Sequence, residues 1–264
     1  MRQDYEAARK LWNKVPCGSN GKVEETLEYF QAVENYRYRD YAPWLKKILD
    51  RGEYKDKRVL EVGYGQGTDL VQFAKNHASC FGVDITERHC SLAKKNFALR
   101  GLKASLTRAN VLHLPFKDES FDVVYSNGVL HHIKAIDSSI SEIYRVLKRG
   151  GGLVLILYNR HSAFYLIFTL FIRGLLLGNY FRLGHAGLLS TIETGADGRE
   201  IKPFVKLYTK KSVRCLLNNF SDLRITVTHL EKDHFSAVGK ILPNSVINFF
   251  SPYLGWYIVA VAKK

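Results

Sequence analysis

The chain has 264 residues, 46% of them hydrophobic and 24% charged, which suits a soluble globular protein with a sizeable core and excludes a disordered or fibrous chain. Met1–Lys10 is polar and charged, unlike a secretory signal, and Cys17, Cys80, Cys90 and Cys215 show neither a C-x-x-C pair nor zinc-ligand spacing, so a cytoplasmic protein with reduced thiols and no metal is expected. The formal charge of +14 favours anionic partners, and 14 basic against 6 acidic residues place +8 of it in residues 159–264.

Residues 1–57 read as helical and aromatic, with Trp12, Tyr29, Phe30, Tyr36, Tyr38, Tyr41 and Trp44. A helix over about 23–38 places Leu27, Phe30, Val33 and Tyr36 near helical period, and 16–21 reads as a loop. From Arg58 strands at 58–62, 79–83, 104–108, 121–126 and 152–158 alternate with helices at about 68–76, 87–99 and 137–147. Such alternation builds a parallel sheet covered by helices. Gly150-Gly151-Gly152 is expected to end the last helix and turn into the fifth strand.

Residues 159–207 break the alternation and read as an insertion. Ala163–Leu177 is apolar except at Thr169, Arg173 and Gly174, and is too short and interrupted for a membrane span of ~20 apolar residues. It reads as a pocket wall or lid, with contact at a membrane surface as the alternative. Asp197-Gly198 predicts a turn, Thr209 an N-cap for a helix through Phe220, and 223–230 and 254–262 two closing strands.

The chemistry concentrates in Val59-Leu60-Glu61-Val62-Gly63-Tyr64-Gly65-Gln66-Gly67-Thr68, with Asp84 following 17 residues after Gly67 at the end of the second strand. Strand, glycine turn, helix and strand-end acid make a nucleoside crevice at the carboxyl edge of a parallel sheet. Glycines let backbone approach a ligand, and Asp84 can accept from both ribose hydroxyls. The spacing is G-x-G-x-G, not the G-x-G-x-x-G of dinucleotide enzymes. The acids would repel a pyrophosphate but suit a nucleoside with a cationic amino-acid tail, such as S-adenosylmethionine.

Over residues 57–158 the chain resembles the class I S-adenosylmethionine-dependent methyltransferases, and Trp12 to Glu34 is loosely similar to the lid segment of a bacterial small-molecule branch. The resemblance implies a doubly wound, Rossmann-like α/β fold with seven strands. It also implies an N-terminal helical lid at 1–57, a methyltransferase domain at 58–264, and the insertion after strand 5. The cofactor residues implied are Glu61, Gly63, Tyr64, Gly65, Gly67, Thr68, Asp84, Ile85, Asn110, Val111 and Asn127. Asn110 stands where the family has an acid at the adenine, and the backbone near Asn127 faces the methionine ammonium.

Methyl transfer from a sulfonium needs positioning, and an oxygen or amine acceptor needs a base as well. His132 is the first candidate base and His131 the second, because both follow the fourth strand; Tyr36 can approach from the lid. A thiolate acceptor would need little help. The expected reaction methylates a small molecule at O, S, N or C, apolar or thiol-bearing. A peripheral membrane enzyme acting on a lipid or quinone-like acceptor and a non-catalytic nucleoside binder are the alternatives. Scattered basic residues and the absence of an N-P-P-Y-type tetrapeptide argue against nucleic acid.

Overall fold

The computed structural model describes residues 2–18, 23–49, 54–194 and 202–264. The expected turn at Asp197-Gly198 and the end of the 16–21 loop lie outside the described residues. Seven strands form one sheet, β1 (Arg58–Val62), β2 (Ser79–Asp84), β3 (Ser105–Arg108), β4 (Phe121–Asn127), β5 (Leu147–Tyr158), β6 (Ser221–Thr228) and β7 (Tyr257–Lys263), in the order β3-β2-β1-β4-β5-β7-β6. Strand β1 pairs in parallel with both β2 and β4, and β2 with β3. The α/β sheet expected from the alternation is therefore present.

By internal packing the chain divides into two compact units. The first to be described holds Arg9–Asn127, Asp137–Val154 and Ala262–Lys264. Its strands are apolar on both faces: Val59, Leu60, Val62, Val83, Phe121 and Val124 are all buried, which suits a parallel sheet under helices. The helices are α1 (Arg2–Lys14), which begins in the other unit, α2 (Leu27–Asn35), α3 (Pro43–Leu49), α4 (Thr68–Lys75), α5 (Glu87–Leu99) and α6 (Ile136–Val146). Thr26 and Thr86 cap α2 and α5 by accepting from Tyr29 N and His89 N, both at 3.2 Å. Tyr36–Tyr41 continue α2 with a wider π-helical turn.

The second unit holds Met1–Ala8, Gly128–Ile136 and Leu155–Val261. Here Phe164–Leu176 is π-helical, followed by α7 (Asn179–Thr194), which kinks at Gly184. A reciprocal capping box between Thr209 and Ser212 starts α8 (Lys210–Leu216). Then comes α9 (Asn244–Leu254), whose Ile247 packs with Ala163 and Leu230.

Three sequence expectations are corrected. The glycines do not end α6, which stops at Val146; they lie inside β5, where a Cβ on Gly151 would fall 2.8 Å from Lys148 O and 3.2 Å from Asp122 O. Helix α8 ends at Leu216, short of Phe220, because Asn218-Asn219 supports a turn closed by Phe220 N on Leu217 O. The closing strands shift to 221–228 and 257–263, and α9 stands between them unforeseen.

Candidate functional site

The carboxyl ends of β1 and β4 lie where the strand order reverses, the place at which open α/β sheets bind ligands. The turn leaving β1 has left-handed backbone at Gly63 (φ 77°), Gly65 (54°) and Gly67 (78°). At Gly67 a Cβ would also press on Ala93 and Phe97, at 3.3 and 3.2 Å. At Gly65 it would meet nothing within 4 Å, so open space lies above that peptide.

Asp84 closes the turn from the end of β2. Its Oδ2 accepts from Gly65 N at 3.1 Å and lies 3.2 Å from His89 Nδ1; its Oδ1 accepts from Thr86 N and Thr86 Oγ1, both at 2.9 Å. His89 Nε2 accepts from Cys17 N at 3.2 Å, which fixes the proton on Nδ1, toward Asp84. Burial raises the Asp84 pKa, but His89 and the Thr86 and Gly65 amides outweigh it, and the group stays below its ordinary value. Gln66 Nε2 donates to Cys17 O at 2.7 Å, tying the N-terminal segment to the turn.

Glu61, on β1, is buried, and its Oε2 has no hydrogen-bond partner. Burial, and then the negative charge of Asp69, push its pKa well up, more than Arg37 lowers it. Such a carboxyl is poised for a cationic group. Tyr64 is buried beneath the turn, its ring against Gly82 and its hydroxyl 2.7 Å from Cys90 Sγ. Thr68 and Ile85 are half-buried, and Asn110 Oδ1 accepts from Leu112 N at 3.0 Å, which folds the loop carrying buried Val111. Arg145 braces that loop at Leu114 O (3.1 Å) and Phe116 O (2.8 Å), while Glu142 takes Leu114 N at 2.7 Å.

Asp69 is a residue the sequence reading passed over. It sits in the first turn of α4, 3% exposed, and accepts from Arg37 Nε and Nη2 (2.6 Å each), Tyr38 OH (2.5 Å), Tyr125 OH (2.8 Å) and Asn127 Nδ2 (3.3 Å). Five donors exceed the roughly four lone-pair sites of a carboxylate, so Asp69 is a structural anchor. Burial alone would raise its pKa; the Arg37 guanidinium and the two hydroxyls hold it low. Asn127 thus belongs to this anchor through its side chain. Tyr36 lies beside it in sequence but is exposed and stacks on Tyr41.

The two histidines lie in the second unit. His132 Nδ1 is 2.8 Å from Phe204 O, which can only accept, so Nδ1 carries a proton. Its Nε2 lies 3.7 Å from Glu193 Oε1, which accepts from Tyr158 OH at 2.7 Å. His131 is fully buried and stacked on Tyr158 at 3.7 Å, and neither ring nitrogen has a hydrogen-bond partner. Burial, then the neighbouring His132, push its pKa well down, so the ring is neutral. A similar trio, His229, Glu231 and His234, lies elsewhere in the same unit; both trios hold their donor atoms within 4.8 Å. Glu193 lies 61 residues beyond His132, and no local pattern announces it.

The glycine turn between two buried acids and the strand order together define a methyltransferase fold. Residues 60–155 match the model of a methyltransferase domain, and that part of the chain is a domain of the class I S-adenosylmethionine-dependent methyltransferase family. The cofactor of that family is S-adenosylmethionine. The chain is 33% identical over 134 residues to the phthiotriol/phenolphthiotriol dimycocerosates methyltransferase 1 of Mycobacterium ulcerans, covering 50% of this chain and 47% of that protein. It is 29% identical over 150 residues to the demethylmenaquinone methyltransferase of Thermus thermophilus, covering 52% and 68%. In fold it is similar to YcgJ of Bacillus subtilis, with a TM-score of 0.57, 16% identity, and coverage of 85% and 99%. The chain spans about half the length of the first curated relatives it matches.

Proposed function

We propose that this chain transfers a methyl group from S-adenosylmethionine to a small acceptor with a large apolar part. The observation that carries the reading is the open, left-handed Gly65 peptide flanked by the buried acids Glu61 and Asp84. Those residues fit the cofactor. Asp84 would take the ribose hydroxyls, which must displace or share with the Gly65 amide and His89 on Oδ2 and the two Thr86 donors on Oδ1, since these four already occupy its lone pairs. The orphaned Glu61 oxygen faces a need that the cofactor's ammonium end meets. Gly63, Tyr64, Gly67, Thr68, Ile85, Asn110, Val111 and Asn127 would complete the cradle, with residues 1–57 as the lid segment and 159–207 as an insertion in the domain that follows. When bound, the cofactor supplies an electrophilic methyl group on a sulfonium.

Of the candidate bases, His132 is better prepared than His131. Phe204 orients the His132 ring by accepting from Nδ1, and Glu193, 3.7 Å from Nε2, would stabilise an imidazolium formed there. His131 stays neutral under desolvation and is a weak base. Tyr36 would act from the lid side. The acceptor's apolar character is supported by the lipid and quinone methyltransferases among the relatives and by the apolar segment 163–177. A second reading places a cytoplasmic enzyme at a membrane surface, where such acceptors reside; the exposed side chains of that segment favour it.

Calorimetric titration of S-adenosylmethionine, S-adenosylhomocysteine and NAD into the wild type and Asp84→Ala tests the cofactor. Binding of both sulfur nucleosides, weakened in the variant, is expected. Binding of NAD alone would overturn the reading, and cofactor binding without turnover on thiol, phenol or quinol acceptors would leave a nucleoside-binding protein.

A further inference from the structure

The second unit carries an apolar surface that the cradle does not use. The π-helical segment Phe164–Leu176 and α7 are joined by a tight turn at Gly178 (φ 70°). They pack closely at Gly174, where a Cβ would fall 2.9 Å from Leu188, and Arg173 reaches Thr191 O at 3.4 Å. Tyr165 OH lies 3.1 Å from His185 Nε2 across the same pair. The result is a fastened helical hairpin whose turn end exposes Phe171, Leu175, Leu176 (65%), Leu177 (66%), Tyr180 and Phe181 (80%). Clustered exposure of this size marks an interaction surface, since soluble monomers rarely leave so many large apolar side chains together in water.

Charge identifies the partner. No aspartate or glutamate occurs between Glu142 and Glu193, while Arg173 and Arg182 lie in the hairpin and Arg160 just before it. Arg182 is exposed beside Phe181, and Arg173 lies 4.6 Å over the Phe168 ring. Bulky apolar side chains interspersed with arginines and free of acids suit an anionic phospholipid surface, where the rings and leucines enter the acyl boundary and the guanidinium groups meet phosphates. A spanning role is excluded for the described residues, since no helix is long and apolar enough to cross a membrane. We infer that the hairpin turn around Leu175–Arg182 docks this protein onto anionic phospholipid membranes. The inference deepens the membrane-surface reading and rests on it, but not on methyl transfer.

The residues that matter differ from those an apolar run alone suggests. Ile167 packs inward against the core formed by Ala163, Leu230 and Ile247, so changing it would damage the fold. The test is co-sedimentation of the full chain with vesicles of phosphatidylcholine alone and mixed with phosphatidylglycerol, at low and high salt. The variants are the triple change Leu176→Ser, Leu177→Ser, Phe181→Ser and, separately, Arg182→Glu. Wild type is expected to sediment with the mixed vesicles, about tenfold less or worse in the triple variant and severalfold less in Arg182→Glu, with loss at high salt. Circular dichroism and S-adenosylhomocysteine binding, both retained, show that the variants fold. Absence of vesicle binding by the wild type overturns the inference, as does equal binding by the folded variants. A dimer in light scattering that the triple variant converts to monomer, without vesicle binding, would assign the face to a second copy of the chain. Failure of cofactor binding with vesicle binding intact would sink the methyl-transfer reading alone.

Discussion

The two units bury polarity in opposite ways. Around the glycine turn the buried acids Asp69 and Asp84 are ringed by donors and stay charged. In the second unit His131, His229 and His234 are buried, and desolvation keeps them uncharged. One region is organised around charges it has neutralised by hydrogen bonding, the other around charges it prevents from forming.

The largest effect is expected at Asp69. Asp69→Ala leaves the Arg37 charge, two tyrosine hydroxyls and Asn127 without their acceptor, and breaking a buried ion pair this way costs about 3–5 kcal/mol, toward the lower end because Arg37 is partly exposed. Urea denaturation reads it; a loss under 1 kcal/mol (about the value of one ordinary hydrogen bond) would show that the anchor is not structural. Asp84→Ala should next weaken S-adenosylhomocysteine binding by about a hundredfold, from two charge-assisted hydrogen bonds at roughly 1.5 kcal/mol each. Unchanged affinity in calorimetry would remove Asp84 from the ribose.

The contrast in charge itself is tested by pH. Burial holds His229 at about 3 and His234 at about 4, below the ordinary histidine value. Their folded pKa values lie under their unfolded ones, so the stability they contribute is complete above about 6.5 and declines as pH falls toward 3–4. Between pH 7 and 5 each should cost about 1–2 kcal/mol, and His229→Gln should flatten the slope of denaturation midpoint against pH. A flat wild-type profile over that range would contradict the burial argument. The smallest effect concerns Glu61, whose raised pKa predicts that S-adenosylhomocysteine binds more tightly as pH rises and the carboxyl ionises. Glu61→Gln should lose that dependence; a variant that keeps it would point to another titrating group.

The first unit was the more legible in sequence because its signals are local. Val59-Leu60-Glu61-Val62 reads as a strand buried on both faces, the following glycines adopt the left-handed backbone the motif implies, and Asp84 ends its strand. What escaped was non-local. Asp69 looks like an ordinary acid in a first helical turn, and its partners lie 32 residues before it and 56 after it. Glu193 meets His132 across 61 positions, and His89 Nε2 takes its hydrogen bond from a backbone amide 72 residues upstream. The segment 164–176 is apolar but for Thr169, Arg173 and Gly174, too few interruptions to mark its inner and outer faces.

The anchor at Asp69 also bears on how the first unit breathes. Arg37 and Tyr38 arrive from one segment, Tyr125 and Asn127 from the end of β4, and all converge on a single carboxylate. A joint of that kind opens all at once, because releasing the Arg37–Tyr38 segment removes three of the five donors together and leaves a buried charge with too few. Amide hydrogens of Tyr36–Tyr41 and of the first turn of α4 should then exchange with solvent at one common rate, as a single cooperative leaf of the protein.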